Sequence, residues 1–264
     1  MNTVTYTSSG GIARITIDKP ASRNSLSLET LRELQAAFEH AESDAGTRVV
    51  ILAGNGPAFC AGHDLKEIRT HAQTRNYAKT LFDACAKLML TITQLSKPVI
   101  ARVQGIATAA GAQLVATADL AIAADNARFG TPGVNIGLFC STPMVALSRN
   151  LSRKHALEML LLGELIPAED ALRFGLVNRL VPEADLDAAV NEIAQKIASK
   201  SFVAVKTGKR AFYKQLELGL EDAYAYTAKV MEENLQSADA CEGICAFIEK
   251  RVPVWTNEEN KNNE

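Results

Sequence analysis

Apolar and polar residues alternate over Val4 to Thr7 and again over Ile12-Ala13-Arg14-Ile15-Thr16-Ile17, with Gly10-Gly11 between them. Period two around a glycine pair predicts a β-hairpin. The period then changes: Leu28, Leu31, Leu34 and Phe38 share one face of a helix that Ser27 is placed to cap. Val49-Val50-Ile51-Leu52 is a continuous apolar run and predicts a buried strand. A helix from about Tyr77 to Leu95, a strand over Pro98 to Val103 and a short strand over Leu120 to Ala123 follow. The order to about residue 130 is β(β)αβααβαβ, which predicts an α/β fold with stacked right-handed crossovers. After Pro143 the pattern is helical apart from a strand at Val177 to Val181. Pro167 is expected in the first turn of one helix, and Asp185 is expected to cap another that runs to about Ser199. The helices that reach Glu249 carry Phe202, Val205, Phe212, Leu216, Tyr224, Phe247 and Ile248. Such helices are too apolar to stand free and are expected to pack on another subunit. Asn257 to Glu264 is polar and is expected to fray.

Composition changes this picture little. The 264 residues suit one large domain or a domain with an appended subdomain, and 47% hydrophobic with 22% charged residues excludes a largely disordered chain. A net charge of −2 gives no footprint for nucleic acid or an anionic membrane. No apolar run reaches the roughly 18 residues of a membrane span. The first residues run straight into a strand pattern, without a signal or transit segment, so a cytoplasmic location is expected. Five cysteines in no CxxC pair fit free thiols. Cys241 and Cys245 are expected to be buried as small hydrophobes, and no metal site is expected.

Two turns carry the candidate chemistry. Phe59-Cys60-Ala61-Gly62-His63-Asp64-Leu65 and Gly105-Ile106-Ala107-Thr108-Ala109-Ala110-Gly111-Ala112-Gln113-Leu114 each follow a strand and open a helix. The first N–H groups of a helix have no intrahelical acceptor, and small side chains let a carbonyl oxygen approach them.

Asp18-Lys19-Pro20 with Arg23-Asn24-Ser25-Leu26, both turns, Lys97-Pro98-Val99-Ile100-Ala101, Ala168 to Val181 and Glu242 to Arg251 together resemble the crotonase (enoyl-CoA hydratase/isomerase) superfamily, in order along nearly the whole chain. The resemblance implies a spiral of ββα turns over 1–200 holding an acyl-CoA site, and a helical oligomerisation region over 201–264. It further implies homotrimers that pair as hexamers, and a coenzyme A thioester as substrate with no permanently bound cofactor. By the same resemblance, an oxyanion would be held by the backbone N–H groups of His63 and Ala110. Coenzyme A would meet Arg23, Ser25, Leu26, Ala61, His63, Asp64, Leu65 and Gly111, and also Phe247 and Lys250 of a neighbouring subunit. The His63 side chain is either a bystander to its own N–H or reaches the substrate, as in the similar turn of methylmalonyl-CoA decarboxylases.

The chain departs from the pattern where a hydratase carries two glutamates: Gln113 and Gly133 stand in their places. An amide cannot take a proton from water at neutral pH, and glycine offers no group at all. Candidate replacements are Gln113, His63, Cys140 and Ser141, with Asn135 and Thr142 nearby. The plainer expectation is that Cys140 packs, Ser141 or Thr142 caps a helix, and Asp119 and Asp125 serve turns. The expected activity is an enolate-forming enzyme, lyase or isomerase, of fatty-acid or related acyl-CoA metabolism. The alternatives are a decarboxylase or thioesterase-type homologue and a non-catalytic acyl-CoA-binding protein.

Overall fold

The computed structural model describes residues 3–257, so most of the expected tail lies outside the described residues. The hairpin forms as β1 (Val4–Ser9) and β2 (Ile12–Ile17), paired antiparallel. Then come α1 (Leu28–Ser43), β3 (Val49–Gly54), α2 (Leu65–Thr70), α3 (Tyr77–Gln94), β4 (Val99–Val103), β5 (Ile106–Thr108), α4 (Ala110–Thr117), β6 (Leu120–Ala124) and β7 (Arg128–Gly130). The second half holds α5 (Ser141–Asn150), α6 (Arg153–Leu162), β8 (Leu165–Pro167), α7 (Ala168–Phe174), β9 (Arg179–Val181), α8 (Leu186–Ala198), α9 (Phe202–Gln215), α10 (Leu220–Leu235) and α11 (Ala238–Glu249).

Six strands form one sheet in the order β1-β2-β3-β4-β6-β9, parallel from β2 onward. Ser27 caps α1 as expected, its hydroxyl accepting from Thr30 N–H. Because β3 is buried along its whole length, its alternation splits between two cores. Val50 and Leu52 pack with Leu34 and Phe38 of α1 and Leu88 of α3, while Val49 and Ile51 pack with Leu186 and Val190 of α8. No helix among the described residues is long and apolar enough to cross a membrane.

Several expectations are corrected. A second sheet, β5-β7-β8, escapes the sequence pattern because its strands are three residues each, too short to show a period. Pro167 ends β8 and stands at the N-cap of α7, and Asp185 precedes α8 without a side-chain capping bond. The N-cap of α5 is Cys140; Ser141 is already helical, and its hydroxyl donates to Phe139 O at 3.4 Å. Cys241 and Cys245 are exposed, since α11 buries only its Asp239 and Ala246 side. Asp119 serves no turn: its carboxylate accepts from Val99 N–H (2.6 Å), Lys209 Nζ (2.7 Å) and Tyr213 Oη (2.9 Å). Lys209 also donates to Ile92 O in the last turn of α3, and Lys97 Nζ donates to Ala41, Glu42 and Asp44 carbonyls at the end of α1. Two buried ammonium groups thus take up carbonyls that helix ends leave unpaired, where the helix dipole favours positive charge.

Candidate active site

The two turns lie against each other, backbone to backbone. Cys60 N–H donates to Ile106 O (3.1 Å) and Cys60 O accepts from Thr108 N–H (2.9 Å), a parallel bridge that carries the first turn alongside β5. The approach leaves no room for side chains. A Cβ on Gly111 would sit 2.0 Å from Cys60 O, and one on Gly62, at φ +91°, would sit 2.9 Å from Ala109 Cβ and 3.4 Å from Ala110 N. Leu26 fixes the far side of the first turn, donating to Gly62 O (2.8 Å) and accepting from Asp64 N–H (3.0 Å). In a parallel bridge the residue between those two partners turns its own N–H the other way. Among the described residues neither His63 N–H nor Ala110 N–H donates to an acceptor.

Ala109 sets the direction of the second N–H. Its φ of +50° and ψ of −116° match the first central residue of a type II′ turn, a place that favours glycine. Such a conformation costs of order 1 kcal/mol or more for alanine and persists only where its surroundings hold it. Here its N–H donates to Gly130 O (2.9 Å) and its carbonyl accepts from Gln113 N–H (3.0 Å).

Around the turns, Asp64 caps α2 by accepting from Lys66 and Glu67 N–H, and it takes a hydrogen bond from Ser25 Oγ (3.2 Å). Burial works against its charge, but these bonds and Lys19 at 3.8 Å hold its carboxyl below the usual range. Arg23 is exposed and its carbonyl accepts from Ala61 N–H, while Leu65 is exposed beside it. Arg23, Ser25, Leu26, Ala61, Asp64 and Leu65 are therefore gathered on one edge of the first turn. Phe247, 86% exposed, and Lys250 stand at the end of α11, and no hydrogen bond or ion pair joins them to the turns among the described residues.

Gln113 is buried in α4 at 4% exposure, and its Oε1 accepts from Cys85 Sγ at 3.8 Å. Gly133 has no space for a side chain, since a Cβ there would lie 2.3 Å from Leu138 O and 2.8 Å from Cys140 Sγ. Burial pushes the Cys60 and Cys85 thiols up to about 12 and raises Cys140 as well, so none is a ready thiolate. His63 sits edge-on to Phe82, ring centroids 5.4 Å apart, and burial lowers its pKa against the opposing pull of the Leu26 backbone and Glu67. Sequence reasoning did not single out Glu67 or Tyr77, which the fold brings to this place. No motif spacing marks them: Glu67 bears on His63 from α2, while Tyr77, on α3, stacks on His71 with ring centroids 4.6 Å apart.

A cavity of about 400 Å³ between α6, β8 and α7 lies away from both turns. Its lining mixes Glu158, Glu164 and Asp170 with His155 and Arg173.

The enoyl-CoA hydratase/isomerase family model matches residues 7–259. The chain belongs to the enoyl-CoA hydratase/isomerase family. Among relatives of this family member, the enoyl-CoA hydratase domain-containing protein 3, mitochondrial, of Xenopus laevis is 50% identical over 247 residues, 94% of this chain and 84% of that protein. The crystal structure of the human protein of that name superposes with a TM-score of 0.93 at 48% identity, covering 96% of this chain and 100% of that one. A crystal structure of an enoyl-CoA hydratase from Mycobacterium smegmatis gives a TM-score of 0.93 at 48% identity, covering 96% and 98%. The crotonase-like α/β fold with its helical C-terminal region is thereby shown, as is the resemblance to domain-containing protein 3. The expected cytoplasmic location is overturned, because the Xenopus and human relatives are named mitochondrial. That expectation rested on the residues after Met1.

Proposed function

We propose that this family member binds an acyl-CoA thioester and holds its carbonyl oxygen between His63 N–H and Ala110 N–H, so that an enolate forms there. The close contact of the two turns supports this reading above all. Two glycines without room for a Cβ bring two N–H groups that lack acceptors to one place, and a strained Ala109 aims the second of them. Fixed donors facing a developing negative charge stabilise it with little reorganisation. The edge formed by Arg23, Ser25, Leu26, Ala61, Asp64 and Leu65 would take the coenzyme A end, with Gly111 under the thioester. Phe247 and Lys250 would close over the nucleotide from a neighbouring subunit of a trimer or hexamer.

Hydration by a carboxylate pair does not fit Gln113 and Gly133. Enolate chemistry that asks for one proton carrier or none, such as decarboxylation or double-bond migration, fits better. The test incubates the purified protein with crotonyl-CoA, longer 2-enoyl-CoAs and malonyl-type CoAs, following absorbance and mass, beside a calorimetric titration with acetyl-CoA. Binding with turnover of at least one thioester is expected. Binding without any turnover would reduce the protein to an acyl-CoA carrier, and absence of binding would remove the reading.

A further inference from the structure

Three buried side-chain atoms lack a hydrogen-bond partner among the described residues: Nδ1 and Nε2 of His63 and Oη of Tyr77. Buried polar groups are paired in the great majority of cases, so an imidazole with both nitrogens unmet calls for a reason. Its surroundings supply one. His63 meets Phe82, one turn of α3 away from Cys85, and Cys85 donates to Gln113. The imidazole and the Gln113 amide therefore lie against neighbouring positions of the same helix. Gln113 in turn stands one turn along α4 from Ala110, the residue that carries the second backbone donor. The charge that bears on it is the Glu67 carboxylate of α2, anchored by Leu28 N–H at 3.1 Å; from α3 it meets the uncharged Phe82.

We propose that the His63 imidazole is the proton carrier of this site, with the carboxylate of Glu67 supporting its charged form. The proposal rests on the acyl-CoA reading above. Of the candidate replacements for a catalytic carboxylate, the imidazole is the one that is a base near neutrality: Gln113 is an amide, Ser141 a hydroxyl, and Cys140, like Cys60 and Cys85, is held as a thiol. Burial keeps the imidazole neutral at pH 7, as a base must be. In the step, the Cα–H bond of the bound thioester breaks, the proton goes to an imidazole nitrogen, and the bonding pair moves onto the carbonyl oxygen between His63 and Ala110 N–H. Glu67 then faces an imidazolium. Return of the proton to carbon regenerates both partners, and in D2O the carbon gains deuterium.

The experiment follows deuterium uptake at C2 of butyryl-CoA by mass and NMR, with binding measured by calorimetry. Wild type should exchange, with a rate that rises through a single ionisation below the ordinary histidine value of 6.5. His63→Ala keeps the backbone N–H, so affinity should stay within about twofold while exchange falls by about 100-fold. Glu67→Gln should move the pH profile to lower values, because the imidazolium loses its counter-charge. Wild-type exchange that is flat from pH 5 to 8, binding without exchange, or a His63→Ala protein that exchanges at the wild-type rate would each overturn the proposal. Failure of wild type to bind butyryl-CoA would instead remove the acyl-CoA reading, and this inference with it.

Discussion

At Gly133 a side chain is a question of space. Leu138 O and Cys140 Sγ occupy the volume its side chain would enter, and Leu138 N–H closes back onto Gly133 O at 2.9 Å. The backbone from 133 to 140 is thus shaped around a residue without a side chain. Gly133→Ala is expected to destabilise the fold by about 1–3 kcal/mol through overpacking, read as a lower urea midpoint with unchanged slope. An unshifted midpoint would mean that this segment yields freely. Gln113→Glu alone should not bring full hydration of crotonyl-CoA, because no second carboxylate can stand at 133; hydration at an ordinary hydratase rate in that variant would refute this account. That Gln113 and Gly133 carry no carboxylate is plain from the sequence itself. The positive φ of Ala109 and the approach of Glu67 to His63 were not legible there, since an alanine carries no mark of its backbone angle and the other contact is made across the fold.

At the scale of elements, long strands and helices were readable from periodicity, whereas β5, β7 and β8 were not, because three residues hold at most one alternation. Asp119 was misjudged for a related reason. Beside a short strand an aspartate reads as a turn residue, yet its partners Lys209 and Tyr213 lie on α9, some ninety positions away. Removing the ammonium would leave a partly buried carboxylate with one fewer partner, so Lys209→Met is expected to cost about 2–4 kcal/mol in denaturant unfolding. A loss below about 1 kcal/mol would show that water reaches Asp119. The C-terminal segment depends on two other carboxylates. Asp239 accepts from Ser201 Oγ (2.6 Å), Thr256 N–H (2.8 Å) and Asn257 N–H (3.2 Å), and these bonds outweigh burial and lower its pKa. Glu242 accepts from Arg251 and from Val254 N–H (2.8 Å), and is drawn down to about 2, chiefly by Arg251. Because both folded values lie below the ordinary 3.8 and 4.5, the stability they give is complete above those values and is lost as pH falls through the folded ones. Trp255, the sole tryptophan, donates to Ser199 O at 2.9 Å within this segment. Its fluorescence should change between pH 4 and 2 before global unfolding, and Asp239→Asn should move that change toward neutrality. A signal constant to pH 2 would contradict the linkage.

For the whole molecule, the helical C-terminal region is the unfinished part. Every residue of α10 is at least partly exposed, including Leu220 at 77% and Met231 at 68%, and α11 adds Phe247 and Ile248. Free helices of this apolarity are unfavourable in water, since each large side chain left exposed forgoes roughly 1.5–3 kcal/mol of burial. An apolar surface of this kind marks an association site. The sequence leads to the expectation of a neighbouring subunit here, because helices this apolar are not expected to stand free. Association would also bring Phe247 and Lys250 within reach of an adjoining coenzyme A site, so assembly and binding should fail together. Sedimentation of the purified chain is expected to give a mass several times its 28.4 kDa. Met231→Glu with Leu220→Lys should lower that mass and weaken butyryl-CoA binding by about tenfold or more, while circular dichroism stays that of a folded protein. A wild-type monomer that binds butyryl-CoA as tightly as it ever does would separate the two, and the nucleotide end would then be held by the Arg23 edge alone.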